Sequence, residues 1–600
     1  VPTATPARAF YLDAAGEAAF TRLHLAPPGA PATGRAVLLV PPFGWEEVCS
    51  YRPRWAWARH LAERGIPVAR LDLPGGGDSA GGPRDAGRLD VWTAAIDAAA
   101  RRLAAETGPE TRITLIGLGL GGLLGWRAAA AGGPVDDLVL WGASARGKSL
   151  VREIKAFSRL ERSKLQELNP GRELPPEDEA SITAAGWVLS AETIAALSAV
   201  DAGELPLPDG PGGRRILLLG RDGASPDARL AGAGRATGAA VATASGDGWG
   251  ELMQEPGSSR APWAAVAEID AWLDAAPAGP AGPREGAADA PAAAADALVG
   301  GGAVREQPLQ LDGVDGILAE PASAADGPPP FVLVLVNAGS VRRIGPNRMW
   351  VEIARRWAAR GVPSVRLDLA GIGEAEGPES MLGEGERYYD DDIFARHIGA
   401  VLDHLQERHG ASRFGPLGLC SGAYWALHAA ADDERVDTAY ALNTRVLVWD
   451  SALIADRDSR KLGYLTRAST YRRVVRGDIP LSRGVEIAKA TVKTLWAKPR
   501  GHRADASPAA DPVDALFDRL RDNGKQPYLL FTGGEPVHEE LARSGRLAAQ
   551  PERWPNLRID ELTEFRDIHT FQPVALQRRA HELIDAAIQH DLDRARAGAA

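Results

Sequence analysis

The chain has 600 residues, too many for a single hydrophobic core, so about two to four domains are expected. Hydrophobic residues make up 45% and charged residues 24%, as in a globular protein, and a net charge of −11 gives no basic stripe for nucleic acid. The only cysteines, Cys49 and Cys420, lie far apart, which argues against a disulfide framework, and no apolar run approaches the roughly 18–20 residues of a membrane span.

The opening stretch, VPTATPARAF, lacks a basic region followed by an apolar one, so a cytoplasmic location is expected. A buried-type strand, AVLLVPPFG (Ala36 to Gly44), comes first. HLAERGIPVARLDLPGGGDSAG (His60 to Gly81) then ends a helix at glycine and runs a strand into a Gly-rich turn. A long helical pattern leads to ITLIGLGLGG (Ile113 to Gly122), a helix-rich insertion from Gly147 to Ala202, and the strand RRILLLG (Arg214 to Gly220).

The same order then repeats. FVLVLVNAG (Phe331 to Gly339), RWAARGVPSVRLDLAGIGEAEG (Arg356 to Gly377), FGPLGLCSGA (Phe414 to Ala423) and PYLLFTGG (Pro527 to Gly534) match the earlier segments. The offset at the Gly-rich turns is 296 residues, Arg70 matching Arg366. The second copy has its own insertion, from about Ser451 to Asn523. Between the copies, Asp274 to Gly302 is rich in Ala, Pro and Gly and reads as a linker. The fold class expected is therefore α/β, with two tandem domains, 1–273 and 303–600, each a doubly wound, mostly parallel sheet capped by its helical insertion.

In the second copy, Gly418-Leu419-Cys420-Ser421-Gly422 follows a strand and opens a helix, which is the context of a nucleophile elbow. Cys420 holds the central position, and a helix N-terminus favours a thiolate there; the plainer alternative is a buried core cysteine. The chain order nucleophile, acid, base selects Glu535, after PYLLFTGG, and His569, in FRDIHTF. Asp567 competes as the acid and His538 as the base, while His428 on the elbow helix reads as packed or solvated. The oxyanion donors expected are the amides of Ser421 and of Ala338 or Gly339. Arg342, Arg343 and Arg348 are candidates to grip an anionic group of a substrate, with solvated surface arginines as the alternative. Tyr424 is a candidate pocket residue that also suits helix packing.

The first copy has Gly119 at the nucleophile position. Asp222 survives as an acid, but no histidine follows the elbow until His397. Gly117, Gly119 and Gly122 also fit the spacing of a dinucleotide-binding turn. Their place in the repeat favours a degenerate elbow, in a domain with a structural or gating role.

The second copy resembles the type 1 exosortase A system-associated hydrolases, in VNAGSVRRIGPNRMWVEIARRWAARGVPSVRLDLAGIGEAEG, GLCSGAYWA, and ALNTRVLVWD followed by YRRVVRGDI. The first resembles the type 2 partner, in VPPFGWEEVCSYRP, RLDLPGGGDSAGG and LVLWGASARGKSLVREIKAF. The likeness covers most of both copies and implies a fusion of the two types. It also implies a Cys elbow in the second and no elbow serine in the first. Glu535 stands where that family usually has aspartate.

Together these features predict a Cys-dependent acyl-transfer enzyme, a thioesterase or acyltransferase, working through a thioester in natural-product or polysaccharide biosynthesis. Its substrate would be a small molecule or a carrier-bound acyl group, with no cofactor, metal or nucleic acid. A carboxylester or lactone hydrolase and a non-catalytic scaffold are the alternatives.

Overall fold

The computed structural model describes residues 7–31, 33–174, 180–208, 213–277, 279, 290–311, 313–323, 327–377, 389, 392–449 and 511–597. The chain forms two compact units, residues 1–445 with 520–600, and residues 446–519. The first unit holds two large sheets. Most of the second insertion expected from the sequence, 451–510, lies outside the described residues.

The first sheet has eight strands: β1 (Arg8–Ala14), β2 (Glu17–His24), β3 (Arg35–Val40), β4 (Val68–Leu71), β5 (Arg112–Leu118), β6 (Asp137–Trp141), β9 (Arg215–Leu219) and β10 (Ala240–Ala244). Their spatial order is β1-β2-β4-β3-β5-β6-β9-β10. β1 and β2 form an antiparallel edge, and from β4 onward the pairing is parallel. A two-stranded hairpin, β7 (Ile182–Ala184) with β8 (Trp187–Leu189), belongs to the first insertion. That insertion also carries the helices Gly147–Leu168 and Ala191–Ser198.

The second sheet repeats this order. Its strands are β11 (Ala297–Val299), β12 (Val304–Leu311), β13 (Val314–Pro321), β14 (Val332–Leu335), β15 (Ser364–Asp368), β16 (Phe414–Leu419), β17 (Tyr440–Leu442), β18 (Tyr528–Gly533) and β19 (Arg558–Arg566). They lie in the order β11-β12-β13-β15-β14-β16-β17-β18-β19. β11 falls inside the stretch read as linker. It pairs with β12, and Ala294 bridges to Tyr11, so ordered structure in the second half begins before Ala303. Short apolar strands without alternation, such as Val332–Leu335, suit positions buried on both faces.

The two halves meet across a buried lattice of charge. Arg342 bonds Asp72 and Glu47 at 3.0 Å each. Arg343 reaches Asp78, Asp315 and Asp368 at 2.8 Å. Arg366 joins Asp78 at 3.0 Å and Glu306 at 2.6 Å. Arg70 and Tyr51 bond Glu374, and Arg22 bonds Asp315. Arg348 donates to the carbonyls of Gly77, Ser79 and Gly81. All these arginines are buried. Burial pushes the Asp78 carboxyl up, but Arg343, Arg366 and Arg342 outweigh it and hold it below the carboxylate range. Glu374 is likewise held far below by Arg70 and Arg22, against its burial. His24 accepts from Arg70, and burial with that neighbour drops its pKa to about 3, so it stays neutral. A small apolar cluster of Val48, Trp187, Ile344 and Val351 also spans the halves.

Removing one partner leaves a buried charge uncompensated, so Glu374→Gln should lower unfolding stability by roughly 3–5 kcal/mol, read from denaturant midpoints. Asp78 and Glu374 have depressed pKa values in the fold. Their stabilisation is therefore complete above the unfolded carboxylate range, about pH 4, and is lost as pH falls from there toward the folded values. Stability measured from pH 7 down to pH 3 should fall steeply below about pH 4 and less steeply in Glu374→Gln.

Candidate active site

β16 ends at Leu419 and the helix Ser421–Asp432 begins two residues later, so Cys420 alone makes the turn. Its φ is 60° and its ψ −117°, a conformation that costs a non-glycine residue energy. The turn is tight enough to dictate its neighbours. A Cβ on Gly418 would lie 2.2 Å from the backbone of Gly422, and one on Gly422 would lie 2.1 Å from the Asn337 carbonyl. The pentad glycines are thus steric requirements of a helix pressed against both its own strand and the loop after β14.

The structure brings Glu535 and His569 to the same place. Glu535 leaves β18 at the head of the helix Pro536–Arg543, is buried, and bonds His569 Nδ1 at 2.8 Å. Nε2 of His569 is also buried, has no hydrogen bond of full geometry, and lies within the influence of Cys420. Burial lowers the imidazole pKa, but Cys420 and Glu535 outweigh it and raise it to about 9. Burial raises the Cys420 thiol, while His569, Arg445 and the Ser421 amide outweigh it and bring it below its ordinary value. This arrangement favours a thiolate–imidazolium pair at the end of a helix whose first amide, that of Ser421, faces the sulfur.

The competitors separate cleanly. His538 stacks on Phe531 and lies 3.4 Å from Glu561. Asp567 adopts φ 59°, and its amide bonds the Gly533 carbonyl at 2.8 Å, so it shapes the base loop. His428 packs on the Tyr424 ring at 4.1 Å between centroids.

Three of the four expected anion-gripping and pocket assignments change outright. Arg342, Arg343 and Arg348 are buried and committed to carboxylates or carbonyls, many of them from the other half, so they hold the fold together and face no substrate. Their density in the sequence was a sign of an interface. The fourth residue, Tyr424, is 7% exposed and sits among the rings of Tyr389, Trp425 and His428, which makes it a packing residue. Of the expected oxyanion donors, Ser421 starts the elbow helix, and Ala338 and Gly339 sit in the loop after β14. Gly339 has φ 56° and open space where a Cβ would be. That loop is fastened by Asn337, which donates to Val341 and Asp368 at 3.0 Å and accepts from the Leu369 amide at 2.8 Å.

Two contributors escaped sequence reasoning. Asn443, buried and at φ 42°, donates to the His569 carbonyl at 2.7 Å and accepts from the Thr532 amide at 2.8 Å. It ties β17, β18 and the base loop together. An asparagine at the end of a strand, tolerant of positive φ, was the available signal. Tyr389 packs edge-on against Tyr424 at 5.1 Å, and burial together with the adjacent Cys420 raises its phenol pKa. Nothing in the pattern around it marked it out. Among the described non-glycine residues with positive φ, Cys420, Asn443, Asp567 and Phe571 gather in the elbow and the segments around His569. Strain concentrated in this way suits a functional site.

The equivalent place in the first half has the same backbone, with glycine in place of the cysteine. Gly119 has φ 51° and ψ −115°, nearly the values of Cys420, which fits an elbow and not a nucleotide-binding turn. The Trp249 ring lies 3.8 Å from where a Gly119 Cβ would be. The Asp222 carboxylate accepts from the amides of Gly248 and Gly250 at 2.6 Å, bracketing that tryptophan. Thus the Asp222 carboxylate serves a turn, and the Glu46 carboxylate, Pro42 and the Trp249 indole surround the Gly119 elbow. No groups of metal-ligating side chains occur among the described residues, and no described helix is long and apolar enough to cross a membrane.

Residues 47–191 match the family model described as serine aminopeptidase, S33. The match lies in the first half and includes the Gly119 elbow. No curated protein matches the chain. Similar solved structures include Est1E from Butyrivibrio proteoclasticus, at 17% identity over 45% of this chain and 99% of that one, TM-score 0.29. A highly thermostable carboxyl esterase from Bacillus coagulans in complex with glycerol gives 14%, 44%, 99% and 0.30. A thioesterase domain from the curacin biosynthetic pathway gives 16%, 47%, 99% and 0.27.

Iodoacetamide should label Cys420 selectively near neutral pH, because its thiol is lowered while that of buried Cys49 is raised to about 12. In His569→Ala the labelling profile should move to higher pH, as peptide mass spectrometry across a pH series would show. Asn443→Ala should leave the fold intact and slow labelling by about tenfold or less, since it displaces the base and does not remove it.

Proposed function

We propose that the chain is an acyl-transfer enzyme built from two tandem α/β-hydrolase-type domains, of which the second carries the chemistry through Cys420. The observation that supports this most is the joint state of Cys420 and His569. A strained elbow cysteine has its thiol lowered beside an imidazole raised to about 9, which is in turn bonded by buried Glu535.

In this reading Sγ of Cys420 attacks the carbonyl carbon of an ester or thioester. The oxyanion is received by the Ser421 amide and by an amide of Ala338 or Gly339. The tetrahedral adduct expels the leaving group, which takes a proton from His569 Nε2, and a thioester remains on Cys420. His569 then removes a proton from the acceptor as it attacks the thioester, and the thiolate leaves. Glu535 holds the imidazole tautomer and orientation through Nδ1. Thioesters pass acyl groups readily to amines, alcohols or water, so the acceptor decides between transferase and hydrolase. The first domain, with Gly119 and Trp249 in place of a nucleophile and a base, is proposed as non-catalytic.

Incubation with a p-nitrophenyl acyl ester should add one acyl mass to the Cys420 peptide. Cys420→Ala should lose that adduct and roughly three orders of magnitude or more in turnover. Wild-type turnover in Cys420→Ala would sink the proposal. Product partitioning with an added amine then separates the acceptors.

A further inference from the structure

The contacts between the halves are reciprocal. Arg70 of the first half bonds Glu374 of the second, and Arg366 bonds Asp78. These residues stand 296 positions apart in pairs, so each contact is the other with the halves exchanged. Arg52 donates to the carbonyls of Gly373 and Ala375 at 2.9 Å. Its equivalent, Arg348, donates to those of Gly77 at 2.9 Å and Ser79 at 2.7 Å. This is the pattern of an isologous, two-fold interface, here within one chain.

The symmetry breaks where the charges change sign. Arg342-Arg343 in the second half stands where the first has Glu46-Glu47. Arg342 therefore meets Glu47 and Asp72. Two copies of the second half would set Arg342 against Arg343 instead, and the repulsion would favour the unlike pair.

The segments so held are those flanking Cys420. Arg342 and Arg343 end the loop that carries Ala338 and Gly339, and the Arg343 amide bonds Asp368 at 2.6 Å. On the other side Asn169, 1% exposed and from the first insertion, accepts from the Arg566 amide at 2.7 Å and donates to its carbonyl at 3.3 Å. Arg172 donates to the Thr563 and Glu564 carbonyls. Arg566 lies three residues before His569.

We infer that the first half is the positioning partner of a fused, pseudo-two-fold pair: Glu47, Asp72 and Asp78 fix the oxyanion loop, and Asn169 fixes the base loop. The catalytic part of this inference rests on the function proposed above; the positioning part does not. Glu47, Asp72, Asp78 and Asn169 are positioning residues, since they act through Arg342, Arg343 and the Arg566 backbone.

The test uses the full chain with the Glu47→Gln/Asp72→Asn double variant and, separately, Asn169→Ala. Amide hydrogen exchange of residues 337–345 and 566–571 reports the loops directly. The double variant should exchange about tenfold faster at 337–345. It should also acylate from a p-nitrophenyl ester at least about tenfold more slowly, because misplaced oxyanion donors cost that much or more. Its alkylation by iodoacetamide, which forms no oxyanion, should stay within about twofold of wild type, a split that general destabilisation would not give. Asn169→Ala should speed exchange at 566–571 and slow acylation and alkylation together. It removes one small buried side chain, so it remains the deciding variant if the double variant does not fold. Unchanged exchange in both loops, or equal loss of acylation and alkylation in the double variant, would overturn the inference. A wild type that forms no acyl-enzyme would overturn the proposed function instead, and loop exchange would still decide the positioning claim.

Discussion

A guanidinium removed from water costs several kcal/mol unless carboxylates and carbonyls replace its hydration. The contact between the two halves places Arg22, Arg70, Arg342, Arg343 and Arg366 in that position together, with Glu47, Asp72, Asp78, Asp315, Glu374 and Glu306 answering them. Neither half can satisfy these charges alone. Asp78 belongs to the first half and its nearest cations, Arg343 and Arg366, to the second. The loop after β14, which ends in Arg342 and Arg343, is tied directly into this lattice.

The two sheets that the lattice joins differ at their elbows. Both elbows have the same backbone angles. One elbow holds Gly119; the other holds Cys420, in the half where Glu535 bonds His569. The Gly119 elbow still packs its helix closely against its strand and the loop after β3. The second half holds the non-glycine residues Cys420, Asn443 and Asp567 at positive φ around its elbow.

Much of this was legible in the sequence. Period and turn chemistry gave β3, β4, β5 and β9 of one sheet and β14, β15, β16 and β18 of the other, and the G-x-C-x-G pentad gave the elbow, because its glycines answer steric needs that are local. Chain order singled out Glu535 and His569, whose side chains lie 2.8 Å apart. What failed was the assignment of Arg342, Arg343 and Arg348. A run of arginines in a loop beside a nucleophile looks the same whether it faces an anion or a neighbouring sheet, and only the partner's position decides. Asn443 and Tyr389 were hidden for a related reason: their value lies in contacts across dozens of residues, which no spacing rule carries. The strand β11 was missed because an Ala-rich stretch before it and three glycines after it masked three residues that pair with β12.

The central claim is that the chain holds one reacting centre, at Cys420, and a second elbow that only supports it. Pre-steady-state release of p-nitrophenol from an activated ester, with active-site concentration set by chain concentration, tests this most directly. The account predicts a burst of one equivalent per chain, abolished by prior alkylation of Cys420. Release of p-nitrophenol that survives alkylation of Cys420 would contradict the account and place the chemistry elsewhere in the molecule.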